Sequence, residues 1–205
     1  MSFVVFGPLA CALAPLPAPA ADDGGPAAPE EELGGAALFE QRCASCHGSD
    51  GGGSEIGPQI KSPVVGYAAY VVRHGRDDMP FADAMPVFDE ASLATAELDR
   101  ILEHLRSFPK PEDGRGLYER YCGNCHGEGA RGGRVEKDLT EEAQEEPEDL
   151  LEKVREGEGG TSYGEREEYM PAWAKDELSD ADVAAIVAYV QGLPREGDED
   201  EDSGD

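Results

Sequence analysis

The pattern Cys-x-x-Cys-His occurs twice in this chain, at 43–47 and 122–126, and each occurrence lies inside a longer repeat. Ala37-Leu38-Phe39-Glu40-Gln41-Arg42-Cys43-Ala44-Ser45-Cys46-His47-Gly48 matches Gly116-Leu117-Tyr118-Glu119-Arg120-Tyr121-Cys122-Gly123-Asn124-Cys125-His126-Gly127 at a constant offset of 79. Further on, Met85-Pro86-Val87-Phe88 matches Met170-Pro171-Ala172-Trp173 at an offset of 85, so the second copy carries six added residues between the two motifs. Two copies of one unit in 205 residues leave each domain about 75 to 85 residues, too few for a large apolar core, and domains of that size need a staple.

The local patterning makes the fold class all-α, two tandem domains of a few helices each. Each copy opens with a short amphipathic helix and closes with a longer one. In the closing helix of the first copy Leu98, Ile101, Leu102 and Leu105 recur at helical spacing; Val183, Ile186, Val187 and Val190 do so in the second, after a Ser179-Asp180 start signal. No run alternates with period two for long enough to build a sheet. The chain divides into a signal peptide at 1–20, a flexible leader at 21–35, a first domain at 36–108, a Pro-rich linker at 109–114, a second domain at 115–194 and a disordered acidic tail at 195–205.

Cys-x-x-Cys-His is the attachment signature of a covalent c-type haem: each thiol adds to a vinyl group and the adjacent histidine becomes the proximal iron ligand. Cys43, Cys46 and His47 then serve one haem, and Cys122, Cys125 and His126 the other. A zinc site pooling the four cysteines accounts neither for the histidine after each pair nor for the Met-Pro motifs, and a thioredoxin-type dithiol requires a βαβ setting that the chain lacks. A thioether is the expected sixth ligand. In the second domain this is Met170; in the first, Met79 and Met85 both precede proline, and Met85 is preferred because it aligns with Met170. His74 and His104 read as helix residues rather than ligands.

The pattern as a whole resembles the class I cytochromes c, in particular the bacterial tandem dihaem members, over about residues 36–193. The resemblance implies that the first and last helices of each domain cross, with the haem filling the space beside them. It also implies that a proline carbonyl accepts a hydrogen bond from the proximal histidine; Gly57-Pro58-Gln59-Ile60 is similar to the segment that supplies it. The second domain has no proline between Gly127 and Leu139, which leaves the partner of His126 open. Its Gly129-Ala130-Arg131-Gly132-Gly133-Arg134 segment is either a curled loop carrying arginines toward the haem propionates or a solvated one. Trp173 with Tyr163 or Tyr169 is either a wall of the second haem site or plain core.

Acidic residues outnumber basic ones 45 to 17, a net charge of -28, with residues 112–195 holding 22 acids against 10 bases. Such a field repels nucleic acid and favours redox partners with a basic docking surface. With both irons six-coordinate, and no nucleophile or base array beside them, the expected role is not enzymatic. The chain is expected to carry single electrons between redox proteins in a periplasmic respiratory chain, or to be the dihaem electron-transfer subunit of a larger membrane oxidase or dehydrogenase complex. A dihaem peroxidase is the third reading. No apolar run is long enough for a transmembrane helix in the mature chain. Cys11 after Pro8-Leu9-Ala10 offers an alternative to plain cleavage, in which it is acylated and anchors the chain. Because only one histidine has its proline, the two haems are expected to differ in potential.

Overall fold

Each copy is opened by a helix that begins on a glycine, Gly35 or Gly114, because at that point it lies against the backbone of the helix that closes the copy. A Cβ on Gly35 would collide with the carbonyl of Arg100 and meet the His104 side chain; one on Gly114 would collide with the carbonyl of Ala185 and meet Tyr189. Only hydrogen fits at either contact. The structure, a computed structural model, describes residues 33–76, 85–133, 135, 137–165 and 168–195. The signal peptide, Cys11, nearly all of the leader, Met79, Arg134 and residues 196–205 lie outside the described residues.

In the first copy α1 (Gly35–Arg42) leads into the single turn α2 (Ala44–His47), followed by α3 (Val65–His74) and α4 (Thr95–Arg106). The second copy runs α5 (Gly114–Tyr121), α6 (Gly123–His126), a two-stranded antiparallel ladder of β1 (Arg131–Gly132) and β2 (Lys137–Asp138), then α7 (Leu139–Glu145), α8 (Pro147–Glu156) and α9 (Asp180–Gln191). The architecture is all-α, and the ladder is the only sheet among the described residues. Helix α1 packs on α4 and α5 on α9. Leu38 and Phe39 meet Leu98, Ile101, Leu102 and Leu105 in one core; Leu117 and Tyr118 meet Val183, Ile186 and Val190 in the other, with Val187 at its margin. Helix α9 begins on a capping box: Ser179 Oγ accepts from the Asp182 N–H, and the Asp182 carboxylate accepts from the Ser179 N–H.

The six added residues divide into two threes. The offset is still 79 where the Ile60 N–H donates to the Gly51 carbonyl and the Leu139 N–H to the Ala130 carbonyl, both at 2.8 Å. It is 82 where α3 and α8 end, at Gly75 and Gly157, and 85 at the methionines. Ala130 keeps the left-handed backbone of its counterpart Gly51, with φ of 60° against 73°.

The two domains lie within one compact unit and share a seam. Tyr67 of α3 stacks on Tyr169, ring centroids 5.0 Å apart; Tyr163 sits edge-on to Tyr169 and also contacts Tyr67 and Tyr70. Val64 packs against the second domain's core. Two ion pairs, Arg106–Glu177 at 2.8 Å and Lys110–Asp182 at 2.5 Å, lie at the partly exposed rim, where such pairs contribute about 0–1 kcal/mol each.

The helix contacts set a test. Gly35→Ala and Gly114→Ala each force α1 from α4 or α5 from α9, an overpacking that costs about 1–3 kcal/mol. Thermal unfolding should show a clear loss for both, whereas Gly34→Ala, whose Cβ would meet nothing within 4 Å, should leave the midpoint unchanged.

Candidate functional site

Each Cys-x-x-Cys-His segment is one helical turn. The N–H groups of Cys46 and His47 donate to the Cys43 carbonyl at 3.1 and 3.0 Å, and those of Cys125 and His126 to the Cys122 carbonyl at the same distances. All four cysteines are free thiols. Burial pushes the Cys43 thiol up to about 11 and the Cys122 thiol up to about 12. A redox-active dithiol requires the opposite shift. No three His, Cys, Asp or Glu side chains among the described residues are gathered as a metal cluster, so the four cysteines are not assembled as a zinc site.

His47 is 7% exposed. Its Nδ1 donates to the Pro58 carbonyl at 2.8 Å; since a carbonyl only accepts, the proton is on Nδ1 and Nε2 keeps its lone pair. Burial lowers its pKa and so favours this neutral, ligating form. Gly57 allows the segment to lie against the ring, because a Cβ there would come within 3.2 Å of Nδ1 and 2.9 Å of the Cys46 carbonyl.

His126 differs. Its Nδ1 is buried and meets no partner in hydrogen-bond geometry, and burial brings its pKa down to about 4. At the offset of 79 the counterpart of Pro58 is Lys137, on β2. The Lys137 carbonyl lies close enough to the ring to oppose that lowering. The second domain therefore presents a main-chain carbonyl at the corresponding place without a proline, held there by the ladder. The loop preceding it is curled, as one of the two sequence readings has it, but Arg131 donates to the Pro194 carbonyl at 2.9 Å.

Met85 and Met170 occupy matching positions. Met85 exchanges two main-chain hydrogen bonds with Arg76, and Met170 does the same with Glu158, each just after the glycine that ends α3 or α8. A thiol pair, an imidazole and a thioether on a pinned loop form a donor set that fits a covalent iron porphyrin in each domain. His74 stacks on Tyr70 and His104 packs between Phe39 and Phe108. Trp173 belongs to the second core, edge-on to Tyr121.

Sequence reasoning missed Arg73 and Arg155. Arg73 donates from Nη1 to the carbonyls of Phe88 and Leu93, at 2.9 and 2.7 Å, and pairs with Glu90. Arg155 donates from Nη1 to the Trp173 carbonyl at 2.8 Å and pairs with Asp180. Phe88 and Trp173 each stand three residues after the methionine, so each arginine ties the methionine loop to its domain. The available signal was Val72-Arg73-His74-Gly75 against Val154-Arg155-Glu156-Gly157 at an offset of 82. Arg73→Leu and Arg155→Leu each remove a charge-assisted bond to a carbonyl, a loss of about 1.5–3 kcal/mol. Each should free the methionine loop of its own domain, read as faster amide exchange at Met85–Phe88 or Met170–Trp173; unchanged exchange there would refute the tie.

Comparison with known proteins agrees with this double construction. The family model described as cytochrome c oxidase, cbb3-type, subunit III matches the chain twice, over residues 30–105 and 109–190. The cbb3-type cytochrome c oxidase subunit FixP of Azorhizobium caulinodans is 25% identical over 181 residues, spanning 78% of this chain and 58% of that protein. The subunits named CcoP of Rhodobacter capsulatus and Azospirillum brasilense are 27% and 26% identical, over 78% of this chain and 61% of each of them. The chain thus spans about three fifths of these relatives. With each half of the chain matched separately, and each half carrying its own thiol pair, histidine and methionine loop, the chain belongs to the cytochrome c oxidase, cbb3-type, subunit III family.

Proposed function

We propose that this chain is the dihaem electron-transfer subunit of a cbb3-type oxidase complex, facing the periplasm. The observation that carries the reading is the repeated site: a histidine packed on each Cys-x-x-Cys-His turn, buried in the first domain and half-buried in the second, with a methionine loop fixed by main-chain hydrogen bonds in the same domain. In it Cys43 and Cys46, and Cys122 and Cys125, would hold two haem c groups by thioether bonds, and His47 with Met85 and His126 with Met170 would ligate the irons. Haem supplies reversible one-electron chemistry at iron. The residues do the rest. Pro58 orients His47, and the Arg76 and Glu158 main chains present the methionines.

Met85 is favoured over Met79 because its bridge to Arg76 repeats that of Met170 to Glu158. Membership of a complex is favoured over the freely diffusing carrier because the relatives of both halves are named as oxidase subunits. No helix among the described residues is long and apolar enough to cross a membrane.

Two measurements test this. Optical redox titration of the purified holoprotein should resolve two one-electron steps. Met85→Ala and Met170→Ala should each remove about half of the weak long-wavelength band of sulfur-ligated ferric haem, and loss of that band on Met79→Ala instead would reassign the first ligand. Affinity purification of the tagged chain from solubilised membranes should bring the other oxidase subunits with it; recovery as a lone soluble monomer would return the reading to a mobile carrier.

A further inference from the structure

The two attachment motifs are joined by a short chain of hydrogen bonds across the domain seam. His47 Nδ1 donates to the Pro58 carbonyl at 2.8 Å. One peptide unit on, the Gln59 carbonyl accepts from Asn124 Nδ2, also at 2.8 Å. Asn124 is the second spacer residue of Cys122-Gly123-Asn124-Cys125-His126, covalently next to a haem-attaching cysteine. The route from the ring of one proximal histidine to the other attachment motif therefore has two hydrogen bonds, and its remaining links are covalent.

The segment is held in place by more than this bond. The Gln59 side-chain amide donates to the carbonyls of Arg120 and Glu119, at 2.7 and 3.3 Å, which lie in the last turn of α5, where helix carbonyls lack intrahelical partners. Gln59 of the first domain thus caps the helix that leads into the second attachment motif. Arg120 reaches back to Ser62 and to the Pro109 carbonyl.

We propose that Gln59 and Asn124 form a relay that carries electrons between the two haem sites, a step that rests on the dihaem reading above. One electron leaves the ferrous iron of one site, which becomes ferric, and reduces the ferric iron of the other. No bond is made or broken and no proton moves. The competing route is the tyrosine cluster, Tyr67 against Tyr169, which connects the methionine loops through Arg76 and the Tyr169–Met170 peptide bond. Its rings are separated by a van der Waals gap with a centroid spacing of 5.0 Å. The relay is joined throughout by covalent and hydrogen bonds, whereas the tyrosine route crosses a non-bonded ring contact.

The test uses the full dihaem protein, first shown by its haem content to carry two haems per chain; any other content defeats the dihaem reading itself. A flash-generated reductant delivers one electron and the redistribution between the two haems is followed optically. Asn124 is exposed, and Asn124→Ala removes the donor while leaving the fold intact. The expected result is a redistribution slowed severalfold, with both midpoint potentials, the methionine band and the unfolding temperature as in the parent. Tyr67→Leu should leave the rate near that of the parent. An unchanged rate in Asn124→Ala, or slowing in Tyr67→Leu alone, overturns the relay.

Discussion

The hydrogen bond from His47 Nδ1 to the Pro58 carbonyl is the interaction on which most of the first domain's chemistry depends. It is partly buried, so its loss would cost more than the net value of an exposed bond. It selects the tautomer that leaves Nε2 as a ligand, and it holds Gly57-Pro58 against the ring. It also places Gln59 at the domain seam, where one residue meets both the end of α5 and the second attachment motif. A contact that looks internal to one site therefore also reaches the neighbouring domain.

The second domain reaches the corresponding arrangement by other means. Its carbonyl comes from Lys137 and is held by a short ladder rather than by a proline, and it stops short of a hydrogen bond with His126. A bonded Nδ1–H makes an imidazole more basic and fixes its orientation, and only His47 has a proline carbonyl in that place. Both domains keep the same scaffold because the constraints that set it, a glycine at the helix contact and a methionine pinned after a helix-ending glycine, are main-chain constraints. They survive extensive replacement of side chains.

Much of this was legible in the sequence, and the limits have physical causes. The opening and closing helices announce themselves because one face is buried against a single neighbour, giving Leu98, Ile101, Leu102 and Leu105 their spacing. Helix α3 gives no such signal: Val65, Tyr67, Ala68, Tyr70 and Val72 run round it, and none is fully buried. In α8 the few apolar residues stand among acids. The straps Arg73 and Arg155 were hidden by arithmetic, since three residues are added before α8 and three after it. A two-register alignment at 79 and 85 steps over the interval between. The seam could not be read, because Gln59 and Asn124 gain their meaning only from a contact between residues 65 positions apart.

The acidic excess and the seam act on different events. Contacts between the domains are made by tyrosine rings, Val64, amides on main-chain carbonyls and the Arg120 guanidinium. The rim ion pairs Arg106–Glu177 and Lys110–Asp182 are partly exposed and weaken with salt. Salt screening should therefore leave the domain pairing, and with it the spacing of the two sites, nearly untouched. The acids of α7 and α8 face a different problem. Glu141, Glu145, Glu148, Asp149 and Glu152 are exposed, and their field reaches outward only about 8 Å at physiological ionic strength. That is far enough to steer an approaching basic protein, but an interface held by aromatic rings and main-chain bonds gains little from it. The exposed acids thus face outward, while the seam is held mainly by aromatic rings and hydrogen bonds to main-chain carbonyls.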